Sequence, residues 1–422
     1  MDIQQLEKEL FNNIDKLPTG CQYCIKGEKL VLFITGLCDE NCYYCPISEN
    51  RKNKDLMWAN EKLVNSIEEI IEEAKLCSSK GIGITGGSPL LKINKVCKYI
   101  KILKKEFGDD FHIHLYTSVN YVKKDILKKL QNAGLDELRL HFTNLDKITK
   151  RQINKVKIAT EYINEVGIEL PAIPNNEDKI INLLNKLKEE KIPINFLNLN
   201  ELEYSETNYN NLIEKGFVEK NQYNSQIKGS EETALKVIEY CKNNKYNKHD
   251  KYDKNGDLNE EYTLIYKLDS NNNNINVIKS SPEIKKFKKI KFKVHYCPSA
   301  LKDGIQMKNR LINRASNVAK SYEMITEEGL ILKGVISFKS VEDVEDILKI
   351  LNKENIVYEI INNKVLLNPE ILEEIIFQLK EKNYCFNFSA YVSEYYPTSD
   401  KLEVEVIPLC TKKRSLKDFR KG

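Results

Sequence analysis

The sequence predicts an α/β fold in which parallel strands alternate with helices, followed by a smaller α+β domain. Short apolar runs alternate with longer stretches whose apolar residues recur at helical spacing. Strands separated by long helices pair in parallel through right-handed crossovers. The predicted strands are 29–35, 81–85, 111–117, 136–141, 167–173 and 194–199, and the predicted helices are 60–79, 93–107, 121–133, 146–164 and 176–190.

Composition narrows the class of protein. A chain of 422 residues with 41% apolar and 30% charged residues is long enough for two or three folded domains. Its apolar runs are shorter than the roughly 18–20 residues of a membrane span, and its start lacks a secretory pattern, so we expect a cytoplasmic protein without membrane association. Eleven cysteines, an odd number grouped in short motifs, favour metal ligation over a disulfide framework. A net charge of +4 indicates at most a mild preference for polyanions.

A cysteine triplet follows the first predicted strand. Cys38, Cys42 and Cys45 are separated by three and then two residues. Three thiols on one loop can ligate three irons of a 4Fe-4S cluster and leave the fourth iron open. A zinc knuckle or a group of reduced thiols is the alternative, although zinc sites normally supply four ligands.

A glycine-rich turn follows the second predicted strand and reads Gly86-Gly87-Ser88-Pro89. The CxxxCxxC triplet and this turn, in this order and separated by one helix, resemble the radical S-adenosylmethionine (SAM) superfamily. Tyr44 stands where that family has an aromatic residue, and Ser88 stands where its GGEP motif has glutamate. The resemblance implies a partial (β/α)6 barrel of the TIM type over about residues 20–200.

The resemblance also implies the chemistry. A 4Fe-4S cluster on the three cysteines would bind the amino and carboxylate groups of SAM through its open iron. A reductant such as ferredoxin or flavodoxin would supply one electron, which cleaves SAM to methionine and a 5'-deoxyadenosyl radical that abstracts hydrogen from the substrate. The turn Gly86–Ser88 would hold the methionyl amino group. Ser118 and Asn120 would lie near the ribose and carboxylate of SAM, and Ile173 near its adenine.

Polar residues at the ends of later strands are candidates for catalysis, because a barrel of this kind places its chemistry at the carboxyl ends of its strands. Arg139 is a candidate for binding the SAM carboxylate or a substrate anion, and His141 for facing the reaction chamber. Asn198 and Glu201 are candidates for substrate contacts. The alternative is that these are barrel-wall residues paired with their neighbours, or part of an acidic surface loop.

A second cysteine pair precedes the triplet. Cys21 and Cys24, in a CxxC followed by Gly27, resemble a rubredoxin or zinc-ribbon knuckle. Cys297, near His295, is a candidate for completing the site. We expect either a closed site for zinc or an auxiliary iron–sulfur cluster, or three ordinary reduced thiols.

The pattern divides the chain into four parts: an extension with the knuckle (1–28), the barrel (29–203), an insertion or linker with a basic strand at 285–293 and the His-x-Cys segment (204–318), and a C-terminal domain (319–422). The last part reads as strand, helix, two strands, helix and two strands. This order predicts a ferredoxin-like α+β domain.

An appended domain and a cysteine-rich extension favour a large substrate. We therefore expect an enzyme that modifies a macromolecule, with RNA, such as tRNA, slightly favoured over protein. The motif context also resembles the pyruvate formate-lyase activating enzyme-like group and its archaeal relatives, so activation of a glycyl-radical enzyme is the alternative. A non-catalytic metal- or RNA-binding interaction protein is an alternative from another class.

Overall fold

The computed structural model describes residues 8, 10–221, 225–243, 266–268, 275–277 and 292–410. These residues form two compact units. The larger unit contains the described residues up to Lys75 and from Ser79 to Met307, and the smaller contains Leu76–Ser78 and the described residues from Lys308 onward. Residues 285–291, most of the predicted basic strand, lie outside the described residues.

The larger unit alternates strands and helices. Its strands are β1 (Lys29–Phe33), β2 (Met57–Ala59), β3 (Lys62–Val64), β4 (Gly81–Thr85), β5 (His112–Ser118), β6 (Glu137–His141), β7 (Glu165–Ala172), β8 (Phe196–Glu201), β9 (Tyr266–Leu268), β10 (Ile275–Val277) and β11 (Lys293–Cys297). Its helices are α1 (Thr19–Ile25), α2 (Ile67–Leu76), α3 (Ile93–Phe107), α4 (Lys124–Ala133), α5 (Lys150–Tyr162), α6 (Glu177–Glu189), α7 (Tyr209–Glu214), α8 (Ser230–Asn243) and α9 (Ser299–Leu301), the last followed by a π-helical segment (Lys302–Met307).

One nine-stranded sheet organises this unit, in the order β11-β8-β7-β6-β5-β4-β1-β2-β3. The seven strands from β11 to β1 are parallel, whereas β2 and β3 form an antiparallel hairpin. The α/β fold with parallel strands is thus confirmed. The sequence did not predict the seventh parallel strand, β11. The predicted helix 60–79 is wrong over its first turns, because Asn60 turns the hairpin with φ of 53° and the helix begins only at Ile67.

The two faces of the parallel strands have different partners. On one face, apolar residues such as Ile113, Leu115 and Leu138 pack with Ile100 of α3 and Leu130 of α4 in the main hydrophobic core. On the other face, polar side chains occupy the interior of the barrel. Apolar and polar residues therefore alternate along these strands, as they do in a strand with one face exposed to solvent, although both faces are covered here.

Helix α1 packs against this polar inner face. The backbone N–H of Gly20 donates a hydrogen bond of 2.9 Å to Glu137 Oε2. A Cβ atom at Gly20 would lie 2.7 Å from His114 Nδ1, so only glycine allows this approach. Cys21 and Cys24 therefore lie on a helix inside the barrel, which corrects the predicted knuckle loop.

The smaller unit is an antiparallel sheet with two helices packed against it. Its elements are α10 (Lys308–Val318), β12 (Met324–Ile325), β13 (Ile331–Ser337), α11 (Glu345–Lys353), β14 (Tyr358–Ile361), β15 (Lys364–Leu367), α12 (Pro369–Glu381), β16 (Ser389–Tyr395) and β17 (Glu403–Cys410). The strand order β14-β15-β13-β16 is that of a ferredoxin-like fold, as predicted, and β17 adds an edge strand. Ile336, Leu372, Ile376 and Phe388 belong to its core. None of the helices in the described residues is long and apolar enough to cross a bilayer.

The buried histidines predict how stability depends on pH. Burial, together with the charge of Arg139, lowers the pKa of His295 to about 3, whereas the unfolded value is about 6.5. Below pH 6.5 the unfolded chain binds a proton that the folded chain does not, so stability falls as the pH drops toward 3. His295→Gln should reduce this fall by about 1.4 kcal/mol per pH unit between about pH 6 and 4.

Urea denaturation followed by circular dichroism measures this effect. The background should be the Cys38/Cys42/Cys45 triple alanine variant, so that acid loss of a cluster does not contribute. An unchanged pH dependence in His295→Gln would contradict the assignment.

Candidate active site at the carboxyl ends of the strands

The cysteine triplet lies on the loop that follows β1. Cys38, Cys42 and Cys45 are free thiols, and each is partly exposed. A turn shapes the loop, in which the N–H of Cys45 donates to the carbonyl of Cys42 at 3.1 Å. Three accessible sulfurs on one loop are therefore available to a metal centre.

The glycine-rich turn contacts this loop directly, because β1 and β4 are adjacent parallel strands. The N–H of Gly87 donates to the carbonyl of Thr35 at 2.8 Å, and the N–H of Ser88 donates to that of Leu37 at 2.7 Å. A Cβ atom at Gly87 would lie 2.5 Å from the Leu37 oxygen and 2.9 Å from the Cβ of Cys38. The two sequence motifs thus form one structure.

Cys38 and Cys42 are protonated near neutral pH when no metal is bound. Burial raises the pKa of Cys38, and it raises the pKa of Cys42 to about 11. Only the thiolate ligates a metal, so metal binding must release these protons.

Ser118 and Asn120, at the end of β5, lie beside the same loop. Ser118 Oγ donates to Glu40 Oε1 at 2.8 Å, and Asn120 Nδ2 donates to the same oxygen at 2.9 Å. Glu40 lies between the first two cysteines of the triplet. The sequence analysis did not single out Glu40, although its position between Cys38 and Cys42 could have indicated a role at the loop.

Tyr44 and His141 form a neutral hydrogen-bonded pair at the loop. His141 Nδ1 lies 3.0 Å from the backbone carbonyl of Glu169, to which it donates, so Nε2 accepts from the Tyr44 hydroxyl at 2.8 Å. Burial lowers the pKa of His141 and raises that of Tyr44. Both side chains therefore remain uncharged near neutral pH.

The segment after β8 anchors the far side of the loop. Asn208 Nδ2 donates to the carbonyls of Tyr44 and Glu203 at 3.2 and 3.0 Å, and Thr207 Oγ1 donates to that of Cys45 at 3.3 Å. Ile173 is buried in a cluster against which Tyr44 packs. The sequence analysis missed Asn208 and Thr207, because the residues around them do not indicate contact with Tyr44 and Cys45, which lie 164 and 162 residues earlier.

Three other predicted site residues have partners inside the barrel. Arg139 is 1% exposed and pairs with Glu137 and, at 2.9 Å, with Glu169. Asn198 Nδ2 donates to Glu169 Oε1 at 2.7 Å. Glu201 Oε2 accepts from the N–H of Ser299 at 2.8 Å, and burial raises its pKa. The charge of Arg139 is thus balanced within the protein.

The outer cysteines do not meet at one point. Cys24 Sγ donates to Gln306 Oε1 at 2.9 Å, and Gln306 Nε2 donates to Cys297 Sγ at 3.4 Å. Cys21 Sγ instead accepts from the Arg139 guanidinium at 3.4 Å. Gln306 therefore separates two of the three predicted ligands, and among the described residues the three sulfurs do not form a group within 4.8 Å of one another.

Comparison with known proteins identifies the family. Residues 32–200 match the model of the radical SAM superfamily. A protein of Methanocaldococcus jannaschii, provisionally named a glycyl-radical enzyme activating enzyme, is 48% identical over 98% of both chains. This chain belongs to the radical SAM superfamily. It is an enzyme, and the family implies a 4Fe-4S cluster and SAM as its cofactors, as predicted, so the alternative of a non-catalytic binding protein is not retained.

Other similarities to this radical SAM enzyme are partial. GTP 3',8-cyclase of Campylobacter jejuni subsp. doylei is 26% identical over 188 residues, which are 42% of this chain and 57% of the cyclase. The crystal structure of methylornithine synthase aligns with 55% of this chain and 72% of its own, at 12% identity and a TM-score of 0.35. Residues 329–409 match a domain of unknown function, DUF8061.

The residues at the strand ends fit the cofactors that the family implies. The triplet offers three free sulfurs, the number that leaves one iron of a 4Fe-4S cluster open. Gly86 and Gly87 allow the turn to lie directly against the loop, because a Cβ atom at either position would come within 2.5 Å of a backbone oxygen of Thr35 or Leu37.

Gly87→Ala should weaken cluster binding. The added methyl group has no room between Leu37 and Cys38, and overpacking of this kind costs about 1–3 kcal/mol. Iron and sulfide per chain after anaerobic reconstitution should therefore be lower than in the wild type. Gly304→Ala is the matched control, since a Cβ atom there meets nothing within 4 Å. Equal iron in both variants would show that the contact does not position the loop.

Tyr44→Phe should lower the thermal midpoint without removing the cluster. The change deletes the hydrogen bond to His141, which contributes about 0.5–1.5 kcal/mol, and keeps the packing of the ring. The neighbouring Tyr43→Phe serves as control and should leave the midpoint unchanged. Equal thermal midpoints for Tyr44→Phe and Tyr43→Phe would show that the Tyr44 hydroxyl does not stabilise the loop.

Proposed function

We propose that this radical SAM enzyme activates a protein partner by removing a hydrogen atom from a backbone glycine. The observation that carries the proposal is the 48% identity, over nearly the full length of both chains, to a relative provisionally named a glycyl-radical enzyme activating enzyme. The identity extends across both units, including the ferredoxin-like one. Enzymes that share only the barrel would not be expected to align in this way.

The proposed cofactor site uses the residues at the strand ends. Cys38, Cys42 and Cys45 would hold the cluster, and the backbone of Gly86–Ser88 would hold the methionyl group of SAM. When bound, the reduced cluster and SAM supply one-electron cleavage of SAM and abstraction of a hydrogen atom from the substrate.

Two further strand ends would orient SAM. Ser118 and Asn120 present a hydroxyl and an amide beside the loop, where they hold Glu40. A ligand that takes these two donors would displace the Glu40 carboxylate. Ile173, buried at the end of β7, would offer an apolar surface to adenine.

The chain's own residues would give one side of the site an aromatic and apolar surface. The rings of Tyr43 and Tyr44 meet edge to face with centroids 4.9 Å apart, and both pack on the apolar cluster around Ile173. The Tyr44–His141 pair adds polarity without charge. A surface of this kind would limit the approach of water from that side, and exclusion of water protects reactive species from side reactions.

Protein rather than RNA is the substrate class that we propose. The sequence slightly favoured RNA because of the appended domain, but a ferredoxin-like fold by itself does not select a partner. The identity of the full-length relative favours a protein substrate. Arg139, Asn198 and Glu201 stay candidates for substrate contact, although each already has a partner inside the barrel.

The test is an anaerobic assay of the reconstituted enzyme with SAM and dithionite. The unactivated forms of a panel of purified glycyl-radical enzymes serve as substrates. We expect one member of the panel to acquire the glycyl-radical signal in electron paramagnetic resonance and to increase the release of 5'-deoxyadenosine. Cys42→Ala should abolish both signals because it removes a cluster ligand.

A parallel arm replaces the protein panel with unfractionated tRNA. Stimulation of 5'-deoxyadenosine release by tRNA, with no radical on any protein, would overturn the proposed substrate class while leaving the SAM chemistry in place. No 5'-deoxyadenosine from protein with a full complement of iron would contradict the cofactor assignment itself.

A further inference from the structure

Three ligand-type side chains meet at the lower end of the barrel, away from the carboxyl ends of the strands. His112, Glu137 and Glu165 are the first residues of the neighbouring strands β5, β6 and β7. One imidazole nitrogen and one oxygen from each carboxylate all lie within 4.8 Å of one another. The mechanism proposed above uses none of these three residues.

His112 points a ring nitrogen into this group. Its side chain is only 7% exposed, and neither ring nitrogen has a hydrogen-bond partner among the described residues. Nε2 lies 3.5 Å from Glu137 Oε2, and the ring of Tyr23 stacks on the imidazole with centroids 5.5 Å apart. A buried polar group without a hydrogen bond costs about 1–3 kcal/mol. A ligand that pairs with this nitrogen would remove that cost.

Both carboxylates are already oriented by other groups. Glu137 accepts from the Arg139 guanidinium through Oε1 and from the N–H of Gly20 through Oε2, at 2.9 Å. Glu165 Oε1 accepts from the Thr19 hydroxyl at 2.9 Å. Hydrogen bonds that fix the ligand side chains are typical of built metal sites.

The local charge favours a cation. Arg139 pairs with both Glu137 and Glu169. Among the ion pairs found in the described part of the chain, none involves Glu165. The ammonium group of the nearby Lys293 donates a hydrogen bond to the Leu17 carbonyl at 2.8 Å. The carboxylate pair Glu137 and Glu165 is therefore only partly compensated by Arg139.

We propose that His112, Glu137 and Glu165 bind one divalent transition-metal ion, and we take Zn²⁺ as the test ion because it accepts both imidazole nitrogen and carboxylate oxygen as ligands. The ion would require ligand bonds of about 2.0–2.2 Å, which a small inward movement of the three side chains provides. Glu165 is partly exposed and supplies the path of entry.

The ion would have a structural role. Thr19 and Gly20, at the start of α1, each bond to one of the two carboxylates. Metal binding would therefore connect α1 to three strands at once and close the lower end of the barrel. This role is independent of SAM, so it is testable without an assay of activity.

A shared proton is the competing arrangement. Two buried carboxyl groups in contact can hold one proton between them, which would neutralise the pair without a metal. Glu165→Gln separates the two cases, because the amide imitates a protonated carboxyl group but loses a metal-binding oxygen.

The experiment measures zinc on the full-length enzyme with its cluster reconstituted, so that the loop cysteines are occupied. Equilibrium dialysis against buffered Zn²⁺, followed by elemental analysis, should find about one zinc ion per wild-type chain. His112→Ala and Glu165→Gln should each weaken zinc binding by more than about 100-fold. His114→Ala is the matched control: it removes a buried histidine whose ring centroid lies 5.5 Å from that of His112, and it should retain the zinc.

Thermal melting provides a second readout if His112→Ala does not fold. Added Zn²⁺ should raise the midpoint of the wild type and of His114→Ala, and it should leave Glu165→Gln unchanged. A wild-type protein that binds no zinc would overturn the proposal. Zinc retained equally by His112→Ala and Glu165→Gln would also overturn it and would point to the thiols of Cys24 and Cys297.

Discussion

Backbone hydrogen bonds between two loops join the two motifs of the candidate active site. The pairing of β1 with β4 continues past the strand ends, where Gly87 and Ser88 donate to the carbonyls of Thr35 and Leu37. These bonds fix the chain just before the first cysteine of the triplet. The contact at position 88 comes from the backbone N–H, which any residue other than proline supplies. The replacement of the family's glutamate by Ser88 therefore leaves the joined arrangement of loop and turn intact.

A continuous chain of polar contacts joins the two ends of the barrel. Glu137 contacts α1 at the lower end and pairs with Arg139, which also pairs with Glu169. The carbonyl of Glu169 accepts from His141, whose other nitrogen accepts from Tyr44 on the cysteine loop. Because removing one partner of a buried charge leaves the other uncompensated, the middle of this chain is costly to change. Helix α1 and the loop that carries the triplet are thus connected through buried hydrogen bonds and ion pairs.

The sequence predicted the elements and motifs that depend on nearby residues. It missed those that depend on contacts between residues far apart in the chain. Helix 93–107 has the predicted bounds, and the triplet and the turn at Gly86–Ser88 were found from their spacing together with their resemblance to the family's motifs. Strand β11 was missed because only its pairing with β8 makes it a barrel strand. Asn208 and the group around His112 were missed for the same reason, since long connections separate their members in sequence. The CxxC pair was interpreted as a knuckle because its spacing resembles that of a zinc ribbon. The same spacing, three residues from Cys21 to Cys24, also fits one turn of a helix, which is what the chain forms.

The cysteines differ in what a metal ion can reach rather than in acidity. Burial raises the pKa of Cys21 to about 12 and those of Cys42 and Cys297 to about 11, so all three are thiols near neutral pH. Cys21 and Cys297 are buried and bonded to Arg139 and Gln306. Cys42 is partly exposed on a loop. Iron can therefore displace the proton of Cys42 without unfolding the barrel, whereas ligation by the inner thiols would first require the loss of their internal partners. The grouping of three partly exposed thiols on one loop, rather than the number of cysteines, is therefore the feature that favours iron binding there.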